Sequence, residues 1–133
     1  MHRLNGIGCV YSAIIIVLIS VSAAAESARY ELPCESRLLE ASLDTALSQC
    51  GIIEEKGNRG EPAKYLAAAG LPEGYPWCAA GVYWCFMRAA EALGMGLDKI
   101  PFRKTAVANE IYNDFKKKGK RTEFHPRRHD LIV

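Results

Sequence analysis

Eleven consecutive uncharged residues, Trp77 to Met87 in "GYPWCAAGVYWCFM", constrain this chain more than any other stretch. They follow a loop dense in Gly and Pro, "GLPEGYP", whose last proline suits the first turn of a helix because its missing N–H is not needed there. The pattern predicts a helix from Pro76 to about Leu93, with Gly94 beyond its end. A helix that is apolar nearly all round must be covered on several sides, so it belongs at the centre of a domain. With 133 residues there is room for one such domain.

Shorter elements surround it in the sequence. Ser36 is placed to cap a helix through "RLLEASLDTALSQC", with Leu39, Leu43, Ala46, Leu47 and Cys50 on its inner face. Gly51 is placed to end that helix, although "IIEEK" can add a turn. "GNRGEP" reads as a loop, and Pro62 opens a short helix, "PAKYLAAA", closed by Gly70. A further helix follows Thr105, with Val107, Ile111 and Phe115 inward and the lysines of "KKKG" at the negative end of its dipole. The closing "DLIV" reads as the start of a β-strand that has no partner strand upstream. Four helices and the start of a strand suggest the first part of an α+β domain whose sheet lies beyond Val133. The alternative is a small helical protein with an extended tail.

Residues 1–25 are expected to stand outside the fold. Arg3, the run "IGCVYSAIIIVLISVS" and the small residues of "AAAES" follow the order of a secretory signal peptide. An uncleaved N-terminal membrane anchor is the competing reading, since the run is close to a bilayer span of about 20 residues. Either reading exports the rest, with 26–35 as a short linker and 36–133 as the domain. The net charge of +2 makes no electrostatic case for nucleic acid. "KKKGKR" with Arg127 and Arg128 reads as a solvated basic region without a stacking platform.

Cys34, Cys50, Cys78 and Cys85 follow the leader. An even count in an exported domain permits disulfides, and a Cys34–Cys50 bridge across the first helix is open but unforced. Cys78 and Cys85 cannot pair on one helix, where seven residues separate them by about 10 Å against a limit of about 7 Å. Cys34, Cys50, His125 and His129 lack the close spacing of a metal site, and no phosphate-binding glycine motif or other cofactor signature is present. Cys78 falls in the first turn of the central helix, where unpaired N–H groups and the helix dipole favour a thiolate. Cys85 lies two turns on and reads as core filling. A cysteine in the first turn of a buried helix is by itself more often structural than catalytic.

Three segments, "SQCGIIEEKGN", "AKYLAAAGLPEGYPWCAAGVYWC" and "PRRHDLIV", resemble the CHAP family of cysteine- and histidine-dependent amidohydrolases and peptidases. The resemblance runs from about Leu38 to Val133 and implies a papain-like α+β fold. It implies that the cysteine of "PWCAA", Cys78, is the nucleophile in acyl transfer, and that the substrate is an amide bond of peptidoglycan. It also implies a histidine on a strand after the one that "DLIV" begins, in a Gly-His-Val-Gly-like context that this chain does not reach. His125 lies in a polar loop, and His129 stands where the family commonly has glycine before the aspartate of "GDL". Neither matches the family's base, so the chain as given is expected to be inactive or nearly so. Glu55 or Asn58 of "EEKGN" could lie near the cleft, although a polar loop is the simpler reading. The alternative function is a non-catalytic exported domain that binds wall peptide or a protein partner.

Overall fold

In the computed structural model, residues 28–122, 125 and 127–131 are described. The expected leader, Ile132 and Val133 lie outside them. Helices and two small antiparallel sheets make the chain α+β. The order is β1 (Arg29–Glu31), α1 (Ser36–Leu47), β2 (Glu54–Glu55), β3 (Arg59–Gly60), α2 (Ala63–Ala68), α3 (Cys78–Ala92), a 3-10 turn (Leu97–Lys99), α4 (Ala108–Lys118) and β4 (Lys120–Thr122).

The charge-free run forms the central helix, as its composition requires. Ala79, Ala80, Tyr83, Phe86, Ala89 and Ala90 of α3 are all buried. One side of α3 packs in a cluster with Leu38 of α1, Ile100, Phe102 and Ile111 of α4; the other side, through Ala80, packs with Tyr65 and Leu66 of α2. Phe102 links α3 to α4, its ring 5.2 Å from Phe86 and 6.2 Å from Phe115. The helix begins at Cys78, two residues later than Pro76. Trp77 is its N-cap, and the side chain is drawn back toward Tyr65 (ring centroids 5.5 Å apart) and Glu54, whose carboxylate accepts from the indole N–H.

The inner face of α1 is rotated from the predicted one. Leu38 and Ser42 are the buried residues, Leu39 and Leu43 are half-buried, and Leu47 and Cys50 are exposed. Ser42 tolerates burial because its hydroxyl donates to the Leu39 carbonyl at 2.8 Å. Ser36 is the first helical residue rather than the cap; Glu35 takes that place without a side-chain bond. The "IIEEK" segment does not prolong α1. Glu54–Glu55 pairs with Arg59–Gly60 as a hairpin, with Gly57 and Asn58 both at positive φ in its turn.

The predicted linker contains a strand. β1 pairs antiparallel with β4, Tyr30 opposite Arg121, so Lys120–Thr122 supplies a partner that the local pattern does not disclose. Gly119, the C-cap of α4, is what lets these strands meet. A Cβ there would lie 2.8 Å from the Glu31 carbonyl oxygen and 2.5 Å from that of Phe115. Asp130 and Leu131 of "DLIV" are not in a strand. Val107 is the exposed N-cap of α4 rather than an inward residue, and Asp114 is buried in its stead. The Asp114 carboxylate accepts from the backbone N–H and the guanidinium of Arg103, with Lys118 nearby.

Cys34 and Cys50 are free thiols. They lie beyond opposite ends of the 12-residue α1, which at 1.5 Å per residue is about 18 Å long, far outside disulfide reach.

Leu38 is fully buried whereas Leu47 is 59% exposed. Urea titration is expected to show Leu38→Ala costing about 3 kcal/mol and Leu47→Ala no more than about 0.5 kcal/mol. Equal effects would mean that the periodicity of the sequence gives the true face. The Arg103 hydrogen bonds lower the Asp114 carboxyl from 3.8 to about 2. A group depressed in the folded state contributes stability above its unfolded value, here above 3.8, and loses it as pH falls through about 2. The urea midpoint of the native chain is therefore expected to fall more steeply between those values than that of Asp114→Asn; parallel slopes would refute the account.

Candidate functional site

A groove of about 420 Å³ opens beside the N-terminal half of α3. Its floor is the face of α3 carrying Cys78, Gly81, Val82 and Cys85, and α1 contributes Ser42, Leu43 and Ala46 to one wall. Tyr65, Trp77 and the segment 129–131 complete the lining. That face follows from helical spacing: residues 78, 81, 82 and 85 lie three or four apart and share one stripe.

Cys78 is exposed at the first residue of α3, and no side chain caps that helix start. The first N–H groups of a helix have no intrahelical acceptor, and at this helix start no side chain caps them. Gly81, one turn on, is the position where a side chain would stand against Trp77 and Tyr65, 3.6–3.8 Å from their rings. Its lack of a Cβ keeps the floor open beside the thiol.

Cys85 is only half-buried and faces the same groove, so it is not simply core filling. Burial pushes its thiol up, and the Lys64 ammonium offsets this in part. Lys64 itself lies over the rings of Tyr65 and Trp84, 5.1 and 5.2 Å from their centroids. Tyr65 donates its hydroxyl to Gln49 at 3.0 Å, which fixes the ring at the end of the groove.

The two late histidines separate. His125 is exposed and does not line the groove, whereas His129 does. Nε2 of His129 is 3.0 Å from Glu40 Oε1 on α1, and His129 stands at φ 72°, a left-handed conformation uncommon outside glycine. Glu40 also binds the neighbouring Arg128 at 2.8 Å. Asp130 is held in turn by Arg29 of β1, whose Nε and Nη2 each approach a carboxylate oxygen at 2.9 Å, and by the Arg127 backbone N–H at 2.8 Å. These bonds keep the Asp130 carboxyl below its ordinary value. They also link β1, α1 and the 127–131 segment into one charged cluster, with Glu31 accepting from both Arg29 and Arg127.

Neither Glu55 nor Asn58 lines the groove. The hairpin instead touches its approach through Glu54, on the Trp77 indole, and through Asn58, whose carbonyl accepts from the Gly74 N–H at 3.1 Å. Among the described residues, no group of three or more His, Cys, Asp or Glu side chains is placed to hold a metal, and no helix is long and apolar enough to cross a membrane. Glu40, Gln49 and Arg29 escape sequence reading because their partners lie 16 to 101 residues away; only proximity in the fold gives them a role.

The chain matches no family model, no curated protein and no solved structure. What the groove can do therefore rests on its own chemistry: an exposed thiol at an uncapped helix start, an imidazole, and a largely apolar cleft between them.

Exposure and burial divide the four described thiols. Mass-spectrometric mapping of iodoacetamide adducts at pH 8 is expected to show Cys78 and Cys50 modified about tenfold faster than Cys85 and Cys34, both of which burial pushes up. Faster labelling of Cys85 than of Cys78 would overturn this ordering.

Proposed function

We propose that this domain belongs to an exported cell-wall hydrolase of the CHAP type, papain-like in fold, that cleaves an amide bond of peptidoglycan through Cys78. The observation that carries the proposal is the position of Cys78, exposed on the first residue of the buried central helix and opening onto the groove. A thiol in that position has what a nucleophile needs: solvent access, a substrate-sized cleft beside it, and unpaired backbone N–H groups near the carbon it would attack. The sequence "PWCAA", by which the chain resembles that family, coincides with this helix start.

In the proposed reaction, sulfur attacks the amide carbonyl, the helix-start N–H groups hold the developing oxyanion, and the amine departs to leave a thioester. Water then releases the acid. The largely apolar floor suits the short aliphatic side chains of a wall peptide better than a charged polymer. Tyr65 and Trp77 offer flat faces at one end where a sugar ring or peptide plane can lie. No cofactor is invoked.

The test is release of new amino groups from purified peptidoglycan by this chain and by any longer form of it. Cys78→Ala is expected to lower the rate at least about 1,000-fold, whereas Cys85→Ala retains most of it. Activity that survives Cys78→Ala and is lost in Cys85→Ala would reverse the assignment. Binding of peptidoglycan without cleavage in every form would favour a non-catalytic wall-peptide receptor.

A further inference from the structure

We infer that Gly81 is a specificity-determining residue: the space its missing side chain leaves is a subsite for an unbranched, uncharged aliphatic arm on the molecule that reacts with Cys78. The inference rests on the reading of Cys78 as a nucleophile, and it concerns which arm is accepted rather than which bond is cut.

Gly81 is a glycine that the backbone does not require. It lies half-buried inside α3, and its N–H donates to the Trp77 carbonyl at 2.7 Å as in any helical turn. Every other described glycine has a left-handed backbone or a neighbour within 3.0 Å of the place a Cβ would take. At Gly81 the backbone is not left-handed, and a Cβ would meet the Trp77 and Tyr65 rings at 3.6–3.8 Å, ordinary contact distances. Alanine would therefore fit, and alanine is the more stable residue in a helix interior. A glycine held at that disadvantage in the central helix is accounted for by the space it leaves. That space lies one turn from Cys78, about 4.5 Å along the helix axis, on the same stripe of the groove floor.

The hydrogen bonds around the groove define the chemistry of the arm. The Ser42 hydroxyl donates to the Leu39 carbonyl, and Gln49 accepts from the Tyr65 hydroxyl. The Trp77 indole N–H donates to Glu54, His129 is paired with Glu40, and Asp130 is neutralised by Arg29. The two thiols apart, each polar side chain described as lining the groove already has a partner. A charged arm would give up its water there without an uncommitted counter-charge to replace it. A single carbon over Gly81 already touches both aromatic rings, so the arm is slender at that point. Beyond it, Leu43, Val82 and Leu131 offer aliphatic contact.

Thiol labelling tests this independently of any wall substrate. The full chain is treated at pH 7 with a series of maleimides, and peptide mass spectrometry gives the rate at Cys78 relative to Cys50, an exposed thiol outside the groove. For the native chain this ratio is expected to be about tenfold higher with N-butylmaleimide than with N-methylmaleimide. Neither N-tert-butylmaleimide nor the maleimide of 4-aminobutyric acid, whose straight arm ends in a carboxylate, is expected to show that gain. Gly81→Ala is expected to cut the butyl gain at least about threefold while raising the urea midpoint. That combination separates lost space from lost structure, because a glycine needed for packing would lower the midpoint when replaced. The inference is overturned by equal ratios for butyl and methyl in the native chain, by an undiminished butyl gain in Gly81→Ala, or by a variant less stable than the native chain. The expected pattern in a chain that leaves peptidoglycan intact would sustain the subsite while removing the proposed substrate. Cleavage of peptidoglycan through Cys78 without any butyl preference would do the reverse.

Discussion

Everything in this fold is arranged around the need to cover α3. A helix with charge-free residues through its first two and a half turns cannot stand at a surface, and its alanines decide how it is covered. Ala79, Ala89 and Ala90 belong to the cluster shared with Leu38 and α4, and Ala80 to the one shared with α2. Small side chains on two faces let neighbouring helices approach closely, so Cys78 is carried to the surface by a helix whose body is fixed on both sides. A thiol at the start of a mobile helix could not be aimed; this one is.

Much of that arrangement is written in local sequence. The charge-free run, Pro62 ahead of α2 and the glycines that follow α2 and α3 all report on neighbouring residues, and those helices form within two residues of where the pattern places them. The errors have a common physical source. Leu47 and Leu38 both fit an apolar stripe on α1, and which one faces inward depends on where α3 lies, information absent from α1 itself. Tyr30 and Arg121 pair across 91 intervening positions, so neither β1 nor β4 announces itself. Trp77 reads as the first turn of a helix until Tyr65 and Glu54 compete for its side chain.

The candidate site divides along the same line. Cys78 is legible because its chemistry depends on a helix start that Pro76 and Trp77 mark in the sequence. The placement of His129 is not, because it depends on Glu40, which lies 89 residues earlier and shows no local reason for interest. In the sequence His129 reads only as a residue standing where the resembled family has glycine; what the fold adds is the α1 surface against which it lies.

The charged fastening of segment 127–131 gives the groove two walls of different material. The α1–α3 side is held by apolar packing, which ordinary salt concentrations leave intact or strengthen slightly. The 127–131 side hangs on Arg29, Arg128 and the carboxylates they meet: the exposed Arg128–Glu40 pair weakens as mobile ions screen it over about 10 Å, the more buried Arg29–Asp130 pair much less. The two sides of the groove therefore answer to different solution conditions: the α1–α3 side to whatever weakens apolar burial, and the 127–131 side to ionic strength at its exposed Arg128–Glu40 contact.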